Sequence, residues 1–379
     1  MHKNLLQQYF PMILARFEVE NIIRNNPSLN AIFQSWEPEQ QKEFLDFCTG
    51  EIGVKILYDS FFKEVFNAEY CPHRLEALLT TILKQVVKII QVLPNDTTRL
   101  ADETSLLITD IIVELADHSI ANVEIQKIGY LFPGQRSACY SADLLLRQYK
   151  RLRDENKKKF TYKQVRNVYT IIFFETSTKE FHRFPNKYLH HFYQKSDTGL
   201  ELNLLQEYYF IPLDIFRKNV ENKGIKTDLD AWLTFLTTDE PEMILKLIAA
   251  FPEFKELYQN IYELCENIEG VMNMFSKELR ELDRNTVEYM IDEMQNEINQ
   301  KNAIIEENNV LLTEKDAQLE EKDAQLVEKD VLLAEKDQHM YHVNLLYSLL
   351  AKDNRQEDMQ RAFVDEAFRE DLLKEYRLV

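Results

Sequence analysis

Two apolar runs set close together constrain this chain more than any other stretch of it: Leu106–Leu115 (LLITDIIVEL) and Ile120–Gln126 (IANVEIQ), separated by Ala116-Asp-His-Ser119. Both are rich in β-branched residues, and such runs joined by a short turn pair antiparallel as a hairpin. With the turn centred on Asp117, paired positions sum to 234, which sets Asp110 opposite Glu124. Period-2 alternation then puts Asn122, Glu124 and Gln126 on one face of the sheet.

Like charges directly opposite each other destabilise a sheet unless a proton or a cation offsets them. The Asp110–Glu124 pair is therefore a candidate metal site, since a hard divalent ion takes carboxylate, phosphate and water oxygens. Such an ion generates hydroxide and stabilises charge developing on phosphate. The spacing fits a structural alternative equally well, in which Asp110 ends the pairing segment and Glu124 meets solvent at an edge.

Around this hairpin the pattern is helix, three strands, helix, strand. Leu75, Leu78, Leu79, Ile82 and Leu83 recur at helical spacing, Val86–Leu93 reads as a strand, residues 134–153 as a helix and Val168–Phe174 as another strand. That order predicts an α/β (α+β) sheet layered with helices. Residues 1–52 read as a helical extension, with Leu14, Phe17 and Ile22 apolar and breaks at Pro27 and Pro38. After Pro212 the spacing of Trp232, Leu233, Leu236, Leu245, Ile248 and Leu257 predicts a small helical subdomain over 218–290, following a core over 53–217.

From residue 291 an apolar side chain returns every seven positions: Ile291, Ile298, Ile305, Leu312, Leu319, Leu326, Leu333 and Met340. E-K-D begins at Glu314, Glu321, Glu328 and Glu335, so the segment is an internal repeat. The second seam position of each heptad holds Lys301, Asn308, Lys315, Lys322, Lys329 and Lys336, whose lysine stems can lie along the apolar row. Residues 291–350 thus read as a weak coiled coil with another copy, and 351–379 as a C-terminal helix.

Composition excludes several chemistries. Seven glycines and no G-x-G-x-x-G argue against a dinucleotide fold. Gly129-Tyr-Leu-Phe-Pro-Gly134 has P-loop spacing, yet Gln135-Arg136 stands where Lys and Ser/Thr are needed. Four dispersed cysteines suggest neither a zinc site nor a disulfide framework, and no signal-like or membrane-spanning segment is evident, so a soluble, cytoplasmic protein is expected. His182 and the His190-His191 pair fit local packing better than ligation.

Asp110, followed fourteen residues later by Glu124-x-Gln126, resembles the PD-(D/E)XK nuclease superfamily, in the branch of recombination-promoting nucleases and transposases. Further features of that branch are Asp59-Ser-Phe-Phe-Lys63-Glu-Val-Phe, Gly134-Gln-Arg136-Ser-Ala-Cys-Tyr140, Phe210-Ile-Pro-Leu after the last strand, and Trp232-Leu-Thr-Phe-Leu, in order over residues 55–240. The resemblance implies a restriction-endonuclease-like α-β-β-β-α-β core that cleaves phosphodiester bonds with Mg²⁺ or Mn²⁺. It implies that Asp110 and Glu124 ligate the metal, that the Ile125 carbonyl adds a ligand, and that Gln126 replaces the superfamily's Lys. A Gln amide orients water or substrate by hydrogen bonds where Lys would supply charge. Lys127, one position on, should point to the other face. Glu76 is an auxiliary-acid candidate, set against a solvated-helix role.

Arg136 and Tyr140 are four apart on a helix and share a face, so Arg136 would hold a phosphate oxygen or pair with an acidic neighbour. Beyond them Arg147, Lys150, Arg151, Arg153, Lys157, Lys158, Lys159, Lys163 and Arg166 face only Asp154 and Glu155, in a chain whose net charge is −19. Neutralising phosphate charge dominates nucleic-acid affinity, so this patch is the expected DNA contact. The leading expectation is a metal-dependent DNA endonuclease. The alternatives are an inactive nuclease-fold DNA-binding or scaffold protein that assembles through the heptads, and an RNA nuclease. A peptide spanning 291–350 is expected to self-associate in the ultracentrifuge; a monomer at high concentration would remove the coiled coil.

Overall fold

Pro27, Pro38, Pro72 and Pro241 each stand at a helix start, where the missing amide costs nothing and the fixed φ suits the first turn. The expected breaks at Pro27 and Pro38 therefore open helices: α1 (Leu5–Tyr9), α2 (Arg16–Asn25), α3 (Pro27–Gln34) and α4 (Pro38–Cys48). This computed structural model describes residues 3–94, 111–127 and 133–379, with the backbone alone at 281–293 and 296. In α2 the inward positions are Val19 and Ile23, while Phe17 and Ile22 lie exposed.

Helices α5 (Asp59–Val65) and α6 (Pro72–Leu83) lead into β1 (Ile89–Val92), β2 (Ile111–Leu115) and β3 (Ile120–Gln126). Helix α7 (Pro133–Asn156) crosses over to β4 (Val168–Phe174), followed by β5 (His190–Phe192) and β6 (Gln206–Pro212). The sheet order is β1-β2-β3-β4-β6-β5. β1, β2 and β3 form an antiparallel meander, β4 lies parallel to β3 and to β6, and β5 pairs antiparallel with β6. The α-β-β-β-α-β order is present, but Phe210-Ile-Pro does not follow the last strand: it ends β6. The run Tyr208-Tyr-Phe-Ile211 carries the strand signal, and Pro212 is tolerated as the strand's final residue.

The hairpin has the expected register, with Ile111↔Val123, Ile112↔Asn122, Val113↔Ala121 and Glu114↔Ile120. Its turn is a three-residue loop in which the Ser119 carbonyl accepts from the Leu115 amide at 2.8 Å and His118 adopts φ 67°. Asp117 sets the exit, accepting from the Ser119 amide at 3.0 Å and its hydroxyl at 2.6 Å. Asp110 lies outside the described residues, as does the part of Leu106–Leu115 before Ile111.

Alternation gives the sheet two different faces. Ile111, Val113, Ala121, Val123, Ile171, Phe173 and Ile211 enter the main core together with α1–α6 and the following helices α8 (Leu213–Lys223), α9 (Asp228–Thr237), α10 (Pro241–Ala250), α11 (Phe254–Cys265) and the start of α12 (Ile268–Lys352). The other face, which α7 covers in part, holds two smaller apolar clusters among the described residues. One comprises Ile112, Ile120, Leu144 and Val168; the second comprises Ile172, Phe174, Phe181, Phe210 and Ile215.

The chain divides into two units, Met1–Glu293 and Met294–Val379. In the second, the expected heptad row of α12 is helical, and Ile298, Ile305, Leu312, Leu319, Leu326, Leu333 and Met340 are all exposed. Residues 351–379 form two helices, not one: α13 (Gln356–Val364) and α14 (Glu366–Glu375), separated at Asp365, whose carboxylate caps α14 by accepting from the Phe368 amide. They pack Ala362, Leu372 and Leu373 on Leu346 and Leu350.

Phe275, on α12, is fully buried among Trp36, Phe44, Phe47 and Tyr58, with ring centroids 5.1–6.0 Å away. It joins the amino-terminal helices to the rest of the first unit. Phe275→Ala is expected to cost about 3–5 kcal/mol, read as a lower urea midpoint; an unchanged midpoint would show that this aromatic group is not part of the cooperative core.

Candidate active site

Between the two smaller apolar clusters, on the face that α7 covers in part, the sheet is polar. Asn122, Glu124 and Gln126 project from β3 onto this face, and Thr170, opposite Asn122 on β4, joins them. All are buried: Asn122 and Thr170 are 0 % exposed, Glu124 4 % and Gln126 3 %. Both amide atoms of Asn122, the Gln126 Nε2 and the Thr170 Oγ1 have no hydrogen-bond partner among the described residues. Leaving a buried polar group unpaired costs about 1–3 kcal/mol, so a native cluster of them calls for an explanation. The edge-exposed alternative for Glu124 is excluded by its burial in a central strand.

Parity places Glu114 of β2 on the same face, and it is 5 % exposed. Its carboxylate accepts from Gln91 at 2.6 Å, contacts His118 Nδ1 at 2.8 Å and pairs with Arg151 at 3.0 Å. Burial pushes its pKa upward, but the His118 and Gln91 hydrogen bonds and the Arg151 charge outweigh that, so it titrates below the usual carboxylate range. Sequence reasoning did not single out Glu114 or Thr170. The signals were the two-residue spacing of Glu114 from Ile112 and the lone polar residue within VYTIIFF.

Lys127 points to the face opposite Gln126. It is ion-paired with buried Glu278 of α12 and lies 5.1 Å from the Tyr58 ring centroid. Glu278 also accepts from the Asp59 amide at 2.8 Å, so the Asp59-Ser-Phe-Phe-Lys63 motif helps to anchor the end of β3. Glu76 accepts from Lys88 at 2.8 Å and from the Ile89 amide at 2.9 Å, joining α6 to β1. Burial raises its pKa less than these bonds lower it. Arg136 and Tyr140 share a face of α7, the guanidinium 5.3 Å from the ring centroid.

The basic segment divides. Arg147 pairs with Asp143 at 2.6 Å and Arg151 with Glu114, so both serve the fold. Lys150, Arg153, Lys157, Lys158, Lys159, Lys163 and Arg166 are exposed and have no carboxylate partner among the described residues. Elsewhere, His182 meets Asp214 and Ser177 through the same Nε2, at 3.0 and 3.3 Å, which is not the relay a nucleophilic serine requires. His191 stacks on Tyr209, with centroids 4.3 Å apart. The four cysteines are free, and burial raises the thiol pKa of Cys48 and Cys265. No described helix is long and apolar enough to cross a membrane.

A family model for PD-(D/E)XK nuclease family transposases matches residues 56–301, well over half of the chain. The chain belongs to this family. No curated protein and no solved structure matches it. The match extends past the motifs near residue 240 into α12, and so includes Glu278. PD-(D/E)XK nucleases typically use a divalent metal, and the described donor set, a buried carboxylate with neighbouring amide side chains, suits a hard ion of that kind. No group of three His, Cys, Asp or Glu residues gathers among the described residues.

Because the folded Glu114 carboxyl titrates low, the unfolded chain takes up this proton first as pH falls. Its stabilisation is full above the ordinary value of about 4.3 and is lost as pH drops through the folded value. Glu114→Gln is therefore expected to lower the urea midpoint at neutral pH, with the gap to the parent narrowing in acid; a pH-independent gap would count against this linkage.

Proposed function

We propose that the chain is a divalent-metal-dependent DNA endonuclease acting in transposition or recombination, with Asp110, Glu124 and Gln126 as its reaction centre. The observation that carries this reading is the buried polar strip Asn122-Glu124-Gln126, flanked by Thr170 and Glu114 on the same face of the sheet, in a chain of this family. Asp110 and Glu124 would hold the ion, with the Ile125 carbonyl as a further oxygen. When bound, the ion supplies Lewis acidity and a water acidified enough to attack phosphate.

The protein's part is orientation. Gln126 cannot contribute charge, so its amide would align water or a phosphate oxygen by hydrogen bonds. Arg136, held against Tyr140, is suited to a non-bridging phosphate oxygen. The exposed lysines Lys157, Lys158 and Lys159 would neutralise phosphates at a distance from the cut. The exposed Leu row of α12 supports assembly with a second copy, the repeat lysines laying their stems along it.

Purified protein with Mg²⁺ is expected to nick supercoiled plasmid, and Asp110→Ala or Glu124→Ala to lower the rate at least ~100-fold, beyond the effect typical of outer-shell partners. Equal nicking by parent and variants would remove the site. Changing Lys157, Lys158 and Lys159 together to Glu is expected to weaken DNA binding and reduce its log–log salt slope by up to about three.

A further inference from the structure

The end of α7 carries a partly exposed aromatic group that the nuclease chemistry does not use. Tyr149 on α7, Phe160 and Tyr162 meet pairwise: Tyr149 and Tyr162 are stacked with rings 7° from parallel and centroids 5.9 Å apart, and Phe160 stands edge-on to both at 5.4 Å. Two short 3₁₀ turns, Lys157–Lys159 and Tyr162–Gln164, hold the latter two in place. The Thr161 amide donates to Gln164 Oε1 at 2.8 Å, fixing the second turn. Burial accounts for only part of the arrangement: Tyr149 and Phe160 are half-buried, but Tyr162 is 76 % exposed.

Cations surround these rings. Arg153 donates to the Tyr149 hydroxyl at 2.9 Å with its guanidinium 5.9 Å from the ring centroid. Lys157, Lys158 and Lys159 immediately precede Phe160, and Lys163 follows Tyr162; all four are exposed. An aromatic face set among cations that have no carboxylate partner among the described residues matches a polyanion that bears flat rings. Duplex DNA hides those rings in its stack, whereas a single strand offers them, and stacking of bases on aromatic side chains is the sequence-tolerant way such strands are held. A protein partner would match the rings but not so many cations, and a duplex would match the cations but leave Tyr162 idle.

We propose that Tyr149, Phe160 and Tyr162, with the flanking lysines, form a platform on which unpaired bases of single-stranded DNA stack. The inference rests on the nucleic-acid reading above and names its substrate class: DNA with a single-stranded segment near the cut. Arg136 and Tyr149 lie thirteen residues apart on α7, about 20 Å along the helix, so the platform would receive a strand a few nucleotides from a phosphate held at Arg136.

Fluorescence anisotropy in EDTA tests this, with the full chain and three short probes of one length: a single strand, its duplex, and a strand with abasic spacers in place of its bases. Tyr162→Ala is expected to weaken single-strand binding about five- to hundredfold, the range of one lost stack, while Tyr162→Trp retains it and duplex affinity is unchanged. The abasic strand should bind the parent more weakly by a similar factor, and Tyr162→Ala no worse than the parent. Equal effects of Tyr162→Ala on strand and duplex, or none on either, would overturn the platform. In that case the Lys157, Lys158 and Lys159 triple variant tells which reading has failed. Loss of both affinities leaves the DNA reading standing, and no binding by the parent to any probe defeats both. Tighter, Tyr162-dependent binding of single-stranded RNA would overturn the assignment to DNA.

Discussion

The turn Ala116–His118 sets the register on which the functional face depends. A slip of one residue in β2–β3 would turn Asn122, Glu124 and Gln126 into the main core and carry Ala121, Val123 and Ile125 to the α7 side. Two local devices oppose that slip. Asp117 binds both the amide and hydroxyl of Ser119, and His118 accepts a left-handed backbone that a glycine would adopt more readily. The imidazole of His118 is in turn held by Glu114, so the strained residue is tied to the strand it closes.

Much of this was legible because it is local. The pairing sum follows from two apolar runs and a short turn, and α7 and β4 follow from periodicity without reference to the rest of the chain. β6 was harder to see. It pairs with β4 across the long segment 175–205, and only its Tyr-Tyr-Phe-Ile run marks it. Which basic residues face solvent was not legible at all, since the same guanidinium chemistry serves half-buried Arg151, paired with a buried carboxylate, and Arg153 at the surface. Spacing cannot tell them apart, because the difference is the position of Glu114 on a strand 37 residues before Arg151.

The acidic average of the chain conceals this division. Its repeat segment is rich in Glu and Asp and lies in the second unit, whereas the end of α7, in the first, gathers cations with no carboxylate partner among the described residues. At physiological ionic strength charges farther apart than about 8 Å are largely screened from each other, so the local surface, not the net charge, decides what can approach.

The polar strip is sustained by what lies on the other side of the sheet. Asn122, Gln126 and Thr170 atoms with no partner among the described residues would cost on the order of 1–3 kcal/mol each if left unpaired, a large share of the 5–15 kcal/mol by which domains are usually stable. The opposite face offsets that cost with a continuous core that runs from Leu6 to Phe275 and is dense in aromatic contacts. The Lys127–Glu278 pair then anchors the end of β3 from that side. Held there and paired with β2 and β4 on either side, the strand keeps its amide side chains on the face on which Glu124 lies. Rigid support on one side of a single strand is what permits unsatisfied chemistry on the other.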